Sequence, residues 1–442
     1  MQTVEVNPCD DLWLQTFLSD ERFCPTEPRS LEQTGLTLSL IESLICKHLA
    51  MAGTASGRSI AESMGLPFRI LEEVYAALRA RQVVVYSGTA PFNDYYYMLT
   101  EQGHQRARAY QQACAYSGVA PVPFADYVIA VEAQCISTES PSHEELAAAC
   151  AEISVDSRLF DMIGPAVNSG AGMFLYGNPG NGKSTLAKKI TSCFGQEIWI
   201  PKVIVEDGQL IKLFDPSCHH EVAQVDQGIL KGREYDRRWV RIRRPTVTVG
   251  GELTMDCLEM RHDPIGRVSE APLQLKSNCG CLLIDDFGRQ RIEPAELLNR
   301  WIVPLESRFD FLTLANGKKL QVPFEQLIIF STNLEPRDLV DEAFLRRIPY
   351  KIELADPTEE EFFRLFEMYA RQFGCEYRPD VVAGLLERHY RPAGRALRRC
   401  HPRDLLKQVQ NYCRYKRIPF EMRHEHFDRV AASYFAMVFG VR

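Results

Sequence analysis

The sequence lacks the features that would place the chain in a membrane or commit all of it to nucleic acid. No charge-poor apolar run approaches the roughly eighteen residues that a membrane span needs. The 442 residues carry a formal net charge of −7, which argues against a protein that coats nucleic acid but is compatible with a local basic patch. The first residues lack the basic and apolar regions of a secretory signal. We therefore expect a cytoplasmic protein without a membrane partner.

Paired zinc-type cysteines are also missing, although the chain has 14 cysteines. No CxxC pair recurs at the spacing of a structural zinc site. Cys279-Gly-Cys281 and Cys218-His219-His220 could contribute metal ligands, but no further ligands are evident near either group. We interpret the cysteines as buried free thiols of a reducing compartment, with metal binding as the alternative.

A glycine-rich turn near the middle of the chain predicts a phosphate site. Apolar residues from Phe174 run into Gly177-x-x-x-x-Gly182-Lys183-Ser184, and residues 186–190 begin a helix. This strand–turn–helix context is that of a P-loop, whose backbone N–H groups and helix start surround phosphate oxygens. We predict that Lys183 reaches the β- and γ-phosphates of ATP and that Ser184 ligates Mg²⁺. The whole predicted ATP-binding segment is Gly177, Asn178, Pro179, Gly180, Asn181, Gly182, Lys183, Ser184 and Thr185.

A second stretch supplies carboxylates for the same site. The apolar residues 281–284 precede Asp285 and Asp286, so a buried parallel strand would bring both side chains to the edge of a sheet. We predict that Asp285 holds Mg²⁺ through water and that Asp286 orients or polarises the attacking water. A third apolar strand over residues 327–330 leads to Asn333, whose side chain could reach the γ-phosphate or that water.

The order of these motifs, with Arg346-Arg347 before a further strand and Arg403 at a helix start, resembles the AAA+ ATPases over about residues 154–442. The resemblance implies an α/β fold with a three-layer αβα P-loop core, a C-terminal helical lid and a homo-oligomeric ring, such as a hexamer. It also implies that Asn333 is sensor 1, that Arg347, or else Arg346, is the arginine finger, and that Arg403 is sensor 2. The family usually has Glu where this chain has Asp286, which leaves the hydrolysis rate open.

The segment between the P-loop helix and Asp285 is longer than a bare core requires. Asp207-Gly208 predicts a hairpin, and residues 315–318 predict a second one. Together with residues 277–285, these hairpins resemble MoxR-type ATPases and enhancer-binding activators, in which inserted hairpins line a pore and touch the client. The GAFTGA loop of the activators is absent, so contact with a sigma factor is not expected.

A basic run over residues 233–244 has two readings. It either contacts a pore or nucleic acid, or it pairs with nearby carboxylates or a neighbouring subunit. Its members are Arg233, Arg237, Arg238, Arg241, Arg243 and Arg244.

The first 115 residues indicate a winged helix-turn-helix domain. Helical spacing of apolar residues over 37–51, 59–64 and 68–81 is followed by two strand-like stretches, 83–86 and 95–98. The ending Tyr97-x-Leu99-Thr100-x-x-Gly103 resembles bacterial winged-helix regulators. In the third helix the arginines are offset by Glu72 and Glu73, which favours docking of a protein, while DNA binding stays open.

The sequence thus predicts a winged-helix domain (1–115), a Pro-, Gly- and Ser-rich linker (116–150), an ATPase core (151–355) and a helical lid (356–442). The favoured function is an oligomeric, ATP-hydrolysing remodeller of a protein client recruited by the winged helix. The alternative is a DNA-binding AAA+ ATPase acting in replication, transposition or transcription. A small-molecule kinase is disfavoured, because kinases do not use the sensor and arginine-finger set.

Overall fold

The computed structural model describes residues 23–150, 157–195, 197–222 and 235–436, and its N-terminal module combines helices with a three-stranded antiparallel sheet of order β1-β3-β2. As expected, three helices precede a hairpin and a closing helix. The elements are α1 Leu38–Ala52, β1 Thr54–Ser56, α2 Gly57–Met64, α3 Phe68–Ala80, β2 Val84–Ala90, β3 Asp94–Leu99 and α4 Glu101–Ala113. Their shared core includes the fully buried Ile41, Leu71 and Val83.

The Leu-Thr-x-x-Gly motif of this module has a local physical cause. The Thr100 hydroxyl caps α4 by accepting a hydrogen bond from the Gly103 N–H at 3.0 Å. A Cβ on Gly103 would lie 2.1 Å from the Val83 carbonyl oxygen, so only glycine lets α4 approach the start of the hairpin. The motif therefore fixes how the closing helix meets the sheet.

The remaining elements of the central part are strands and mostly short helices. In chain order they are β4 Val122–Pro123, α5 Phe124–Ala133, α6 His143–Ala149, α7 Ser157–Ser169, β5 Met173–Tyr176, α8 Lys183–Thr191, β6 Glu197–Pro201, β7 Val203–Glu206, β8 Gln209–Lys212, β9 Trp239–Arg243, β10 Thr246–Val249, β11 Arg261–Asp263, β12 Val268–Glu270, α9 Leu273–Lys276, β13 Cys281–Ile284, α10 Pro294–Arg300, α11 Ile302–Ser307, β14 Phe309–Thr313, β15 Lys319–Pro323, β16 Leu327–Thr332, α12 Pro336–Leu339, α13 Glu342–Arg347 and β17 Tyr350–Glu353. Short 3₁₀ turns cover Glu32–Thr34, Ile136–Thr138 and Met255–Leu258.

A five-stranded parallel sheet with helices on both faces forms the core. Its strand order is β10-β13-β16-β5-β17. Alternate side chains of β5 point to opposite faces: Leu175 packs with Ile163 and Leu186 of α7 and α8. Phe174 instead shares a cluster with Leu298 of α10 and its neighbour Trp301. This is the predicted three-layer αβα architecture, in which the carboxyl ends of all five strands lie at one edge.

Apart from the core strand β10, the insertion between α8 and β13 builds a separate β layer. Its five-stranded mixed sheet has the order β11-β12-β8-β7-β4, and β6 pairs with β9. Both predicted hairpins are present: Asp207 and Gly208 turn with positive φ between β7 and β8, and residues 314–318 turn between β14 and β15. Lys318 Nζ bonds the Asp207 carboxylate, which joins the two hairpin tips.

The segment predicted as a linker, residues 116–150, contributes to this β layer. Strand β4 pairs in parallel with β7, and α5 follows it directly. Phe124, Tyr127 and Val131 of α5 are buried in one cluster with strand residues of the insertion and of β14 and β15. Proline and glycine at residues 118–123 therefore mark turns at the start of a packed element rather than an extended connector.

After β17, the described residues contain four α-helices, which form the predicted helical C-terminal part. They are α14 Glu359–Gln372, α15 Pro379–Leu385, α16 His401–Lys416 and α17 His424–Tyr434, and α15 continues as a π turn over Leu386–Tyr390. A capping box at Thr358 and Glu361 starts α14. Phe362, Leu406 and Phe427 meet in the core of this bundle.

Candidate nucleotide site

The predicted P-loop lies between β5 and α8 and has the backbone that a phosphate cradle needs. Gly177 has φ 132°, and a Cβ there would lie 2.5 Å from the Leu354 carbonyl oxygen. Gly180 and Gly182 also have positive φ, at 84° and 87°, and Gly182 starts α8. Glycine is therefore required by backbone conformation at all three positions and by contact at Gly177. Pro179 and Thr185 are exposed at this turn.

Lys183 is buried at the start of α8 and links the loop to the end of β16. Its Nζ donates to the carbonyl oxygens of Gly177 at 2.9 Å and Asn178 at 3.0 Å, and to Asn333 Oδ1 at 2.7 Å. Burial lowers the pKa of Lys183, while the nearby Asp286 and Asp285 carboxylates oppose that shift. The ammonium group is thus bound by neutral oxygen atoms. A charged phosphate oxygen in the same place would be a stronger acceptor than any of them.

Ser184 and Asp285, the two predicted Mg²⁺ ligands, are in direct contact. The Ser184 hydroxyl donates to the Asp285 carboxylate at 2.7–2.8 Å, and the backbone N–H of Asp285 donates to the Val249 carbonyl. A hydroxyl and a carboxylate at hydrogen-bond distance are the oxygen donors that Mg²⁺ takes in phosphate sites. These two side chains therefore fit the predicted metal position.

Asp286 and Asn333 form a second pair at the same sheet edge. Asn333 Nδ2 donates to Asp286 Oδ1 at 3.1 Å, and Asp286 adopts φ 51°. The backbone behind Asp286 is fixed to β16, because the Phe287 N–H donates to the Ser331 carbonyl and the Thr332 hydroxyl donates to the Phe287 carbonyl. The exposed Asp286 carboxylate is thus held in a left-handed turn that presents it to solvent.

The structure does not bring the predicted arginines to these side chains. Arg403 bonds Asp404, its neighbour in the chain, at 3.0 Å. Arg347 Nε bonds Glu306 Oε1 at 2.6 Å, and Arg346 is exposed on α13. Arg398, which was not among the predicted site residues, instead pairs with Asp356 beside the P-loop.

Two further residues of the site were not predicted. Asp356, just after β17, accepts hydrogen bonds from Asn181 Nδ2 at 2.7 Å and from Asn178 Nδ2 at 3.2 Å, and it pairs with Arg398. The Cys400 N–H donates to the Gly180 carbonyl at 2.9 Å. No local motif signals these roles, because the contacts join segments far apart in the sequence.

The basic run contributes mainly internal ion pairs. Arg238 is buried with Asp236 and also donates to the Thr34 and Pro121 carbonyls. Arg241 pairs with Glu197, and Arg244 pairs with Glu139. Arg237 and Arg243 are exposed, whereas Arg233 lies outside the described residues. For the three paired arginines, the structure supports the reading in which the charges are satisfied within the chain.

Of the two cysteine groups, Cys279, Cys281 and His219 are buried, whereas Cys218 is half-buried and His220 is exposed. Burial raises the pKa of both Cys279 and Cys281 to about 12. His219 accepts from the Asp215 N–H at 3.0 Å through Nδ1, while its Nε2 lies 2.8 Å from the Lys276 carbonyl oxygen. Both ring nitrogens thus have protein partners. Within the described ranges, no group of three or more His, Cys, Asp or Glu side chains is placed to hold a metal ion.

Comparison with known proteins gives a short family match and distant structural similarities. A family model described as a domain of unknown function, DUF8689, matches residues 358–433. No curated protein matches the chain. NtrX from Brucella abortus is 14% identical, with a TM-score of 0.37 over 64% of this chain and 52% of that chain.

Thermotoga maritima RuvB structures show a similar level of resemblance. The RuvB Holliday junction branch migration motor is 14% identical, with a TM-score of 0.33 over 66% of this chain and 67% of that one. A RuvB mutant is 12% identical, with a TM-score of 0.35 over 67% and 72%. The aligned part covers about half of the NtrX chain. Every TM-score here is below 0.5, so these similarities assign no function to the chain. None of the helices in the described ranges is both long and apolar enough to cross a bilayer.

Proposed function

We propose that this chain binds and hydrolyses ATP with Mg²⁺ as an AAA+ protein. One observation carries the proposal: Lys183, Ser184, Asp285, Asp286 and Asn333 converge at the carboxyl edge of a parallel sheet of order β10-β13-β16-β5-β17. A cation, two metal-type oxygen ligands and a held carboxylate at such an edge are the parts that phosphoryl transfer to water requires.

Each residue has a role that follows from its contacts. Lys183 exchanges its carbonyl and amide partners for phosphate oxygens, which makes stronger charge-assisted bonds. Ser184 and Asp285 would hold Mg²⁺, which when bound neutralises charge on the phosphate oxygens. Asp286 orients the attacking water and accepts its proton, and Asn333 keeps the Asp286 carboxylate in place.

We further propose that the N-terminal module is a winged helix that recruits a protein client for an oligomeric remodeller. The exposed face of α3 carries Glu72 and Glu73, while Arg69 pairs with Glu27 and Arg79 lies 4.6 Å from the centre of the Tyr86 ring. Both of these arginines therefore already have partners within the chain, while the exposed carboxylates of Glu72 and Glu73 repel phosphate. The hairpin beside α3 exposes apolar side chains, which suit a protein surface: Val85, Tyr86, Phe92, Tyr95, Tyr96 and Met98.

The second candidate, a DNA-binding AAA+ ATPase, rests on the helix–hairpin order of the same module. Titration of the full chain with duplex DNA at several salt concentrations separates the two functions. Binding whose affinity falls steeply with salt would favour DNA, whereas absence of binding at low salt would exclude this role and leave a protein client.

Replacement of Lys183 tests the ATPase proposal. We expect Lys183→Ala to lower ATP affinity by about 100-fold or more, because about 3 kcal/mol of charge-assisted bonding is lost. ATP binding is measured by calorimetry, and phosphate release by a coupled assay. Lys188→Ala, an exposed lysine on the same helix, serves as the control and should bind and hydrolyse ATP as the wild type does. Equal ATP binding by Lys183→Ala and the wild type would refute the proposal.

A further inference from the structure

The Asp356 carboxylate lies between the P-loop and the start of the C-terminal helices. It accepts from two P-loop side chains, Asn181 at 2.7 Å and Asn178 at 3.2–3.3 Å, and it pairs with Arg398. Asp356 belongs to the short segment that connects β17 of the core sheet to α14, the first of the C-terminal helices. The Asp356 carboxylate therefore accepts hydrogen bonds both from the P-loop and from the segment that precedes α16.

The segment that carries Arg398 touches the P-loop directly. The Cys400 N–H donates to the Gly180 carbonyl at 2.9 Å, and a Cβ on Gly180 would lie 2.5 Å from Cys400 Sγ. Arg399 in turn pairs with Glu361 in the first turn of α14. Movement of Arg398 would thus be passed to the backbone before α16 and to the contact with Gly180.

Asp356 is a strong acceptor that can still release its partners. Burial opposes its ionisation, yet the hydrogen bonds from Asn181 and Arg398 outweigh burial and hold its pKa below the usual range. The side chains of Arg398 and Asp356 are 22% and 31% exposed. Ion pairs that reach solvent to this extent are weak enough to exchange for a more highly charged anion.

We propose that Asp356 competes with nucleotide phosphate for Arg398. The inference rests on the proposed function, since the competing anion is the phosphate chain of a nucleotide bound to the loop. A phosphate chain on Lys183 adds negative charge beside Asp356, which repels it and attracts Arg398. Arg398 then moves from the carboxylate to phosphate, and the segment 398–400 carries this change to the C-terminal helices. Asp356 is thus a positioning residue that sets both the affinity for phosphate and the response of the helical part.

A double-mutant cycle tests the competition. Asp356→Asn keeps the size of the side chain and an acceptor for Asn181 but removes the charge. We expect Asp356→Asn to raise ATP affinity about tenfold in calorimetry. If the gain acts through Arg398, it disappears when Arg398→Ala is already present. A gain of equal size in the Arg398→Ala background would show a general charge effect and overturn the inference.

A matched control and a structural readout complete the test. Glu353→Gln removes an equal charge from the end of β17, where the side chain is exposed, and should leave ATP affinity unchanged. Hydrogen exchange over residues 398–404 should change on ATP addition in the wild type and not in Asp356→Asn. ATP binding that is unaffected by Asp356→Asn would overturn this inference alone. A wild-type chain that does not bind ATP would overturn the proposed function and the inference with it.

Discussion

At the scale of single residues, His401 shows how the aromatic core of the C-terminal part controls a titratable group. Its ring lies among Tyr390, Tyr434 and Phe435, with Nδ1 2.9 Å from the Tyr390 hydroxyl. Burial, aided by the positive charge of Arg398, lowers the pKa of His401 to about 4. The histidine is therefore neutral in the folded protein at neutral pH.

This depressed pKa predicts a pH-dependent loss of stability. Between pH 6.5 and about 4 the unfolded chain binds a proton at this histidine and the folded chain does not, so the free energy of unfolding falls as pH falls. Chemical denaturation across this range should show a shallower pH dependence for His401→Gln than for the wild type. The exposed His104 provides the control, since His104→Gln should keep the wild-type slope. Equal slopes for all three proteins would contradict the role of His401.

The sequence predicts some residues of the site and misses others for a physical reason. Lys183, Ser184 and Asp285 belong to local patterns in which a strand end fixes where the side chain points, and the structure brings them together. Arg398 and Asp356 meet only because the stretch before α16 folds back onto the P-loop. Spacing cannot tell which arginine of the C-terminal part makes that contact, and the one chosen from the motif, Arg403, bonds Asp404 instead.

At the scale of elements, a buried arginine of the insertion, Arg238, bonds the N-terminal module. Arg238 and Asp236 are both 3% exposed, and Arg238 also satisfies the carbonyls of Thr34 and Pro121. A Cβ on Gly65 would lie 3.0 Å from the Arg237 backbone, so the module and the insertion are in close contact here.

Loss of this arginine should therefore destabilise the fold. We expect Arg238→Ala to lower the free energy of unfolding by about 3–5 kcal/mol, because Asp236 is left buried without a counter-charge. Arg237→Ala, which removes an exposed arginine one residue away, should change it by less than about 0.5 kcal/mol. Urea denaturation measures both variants. Similar stabilities for the two would show that the buried pair contributes nothing beyond a surface charge.

Element boundaries were largely predictable, whereas the partners of elements were not. Helix α3 follows the local spacing of apolar residues, and α14 starts at a local capping box; both signals depend on a few neighbouring residues. The basic run and the stretch 116–150 depend on distant partners: Arg244 meets Glu139, 105 residues earlier, and α5 fills a core formed by the insertion. Composition alone predicts an exposed charged surface for the basic run and a linker for residues 116–150.

At the scale of the whole molecule, assembly would decide whether ATP is hydrolysed. An arginine finger must reach the nucleotide of a neighbouring subunit, and we retain Arg347 for that role. In the structure Arg347 pairs with Glu306, whose side chain is 52% exposed. The Arg347 side chain is 26% exposed, so the pair reaches solvent mainly on the glutamate side.

Mixing of two inactive variants tests the assembly. Arg347→Ala should bind ATP but lose about 1000-fold or more in turnover, whereas Arg346→Ala should hydrolyse ATP normally. Lys183→Ala keeps Arg347 and lacks only the ATP contact. A mixture of Lys183→Ala with Arg347→Ala should therefore regain phosphate release in shared oligomers. Normal hydrolysis by Arg347→Ala would rule out this residue, and loss in Arg346→Ala would assign the finger to its neighbour.

The position of α5 also limits where recombination can exchange one domain of this chain for another. Phe124, Tyr127 and Val131 complete the core of the insertion, although they precede the P-loop in the sequence. A recombination point anywhere between residues 124 and 150 would separate that helix from the strands that bury it. It would leave a cavity in the core of the insertion. The N-terminal module can therefore be exchanged for another recruiting domain only if the recombination point lies before β4, or if α5 is transferred together with the strands of the insertion.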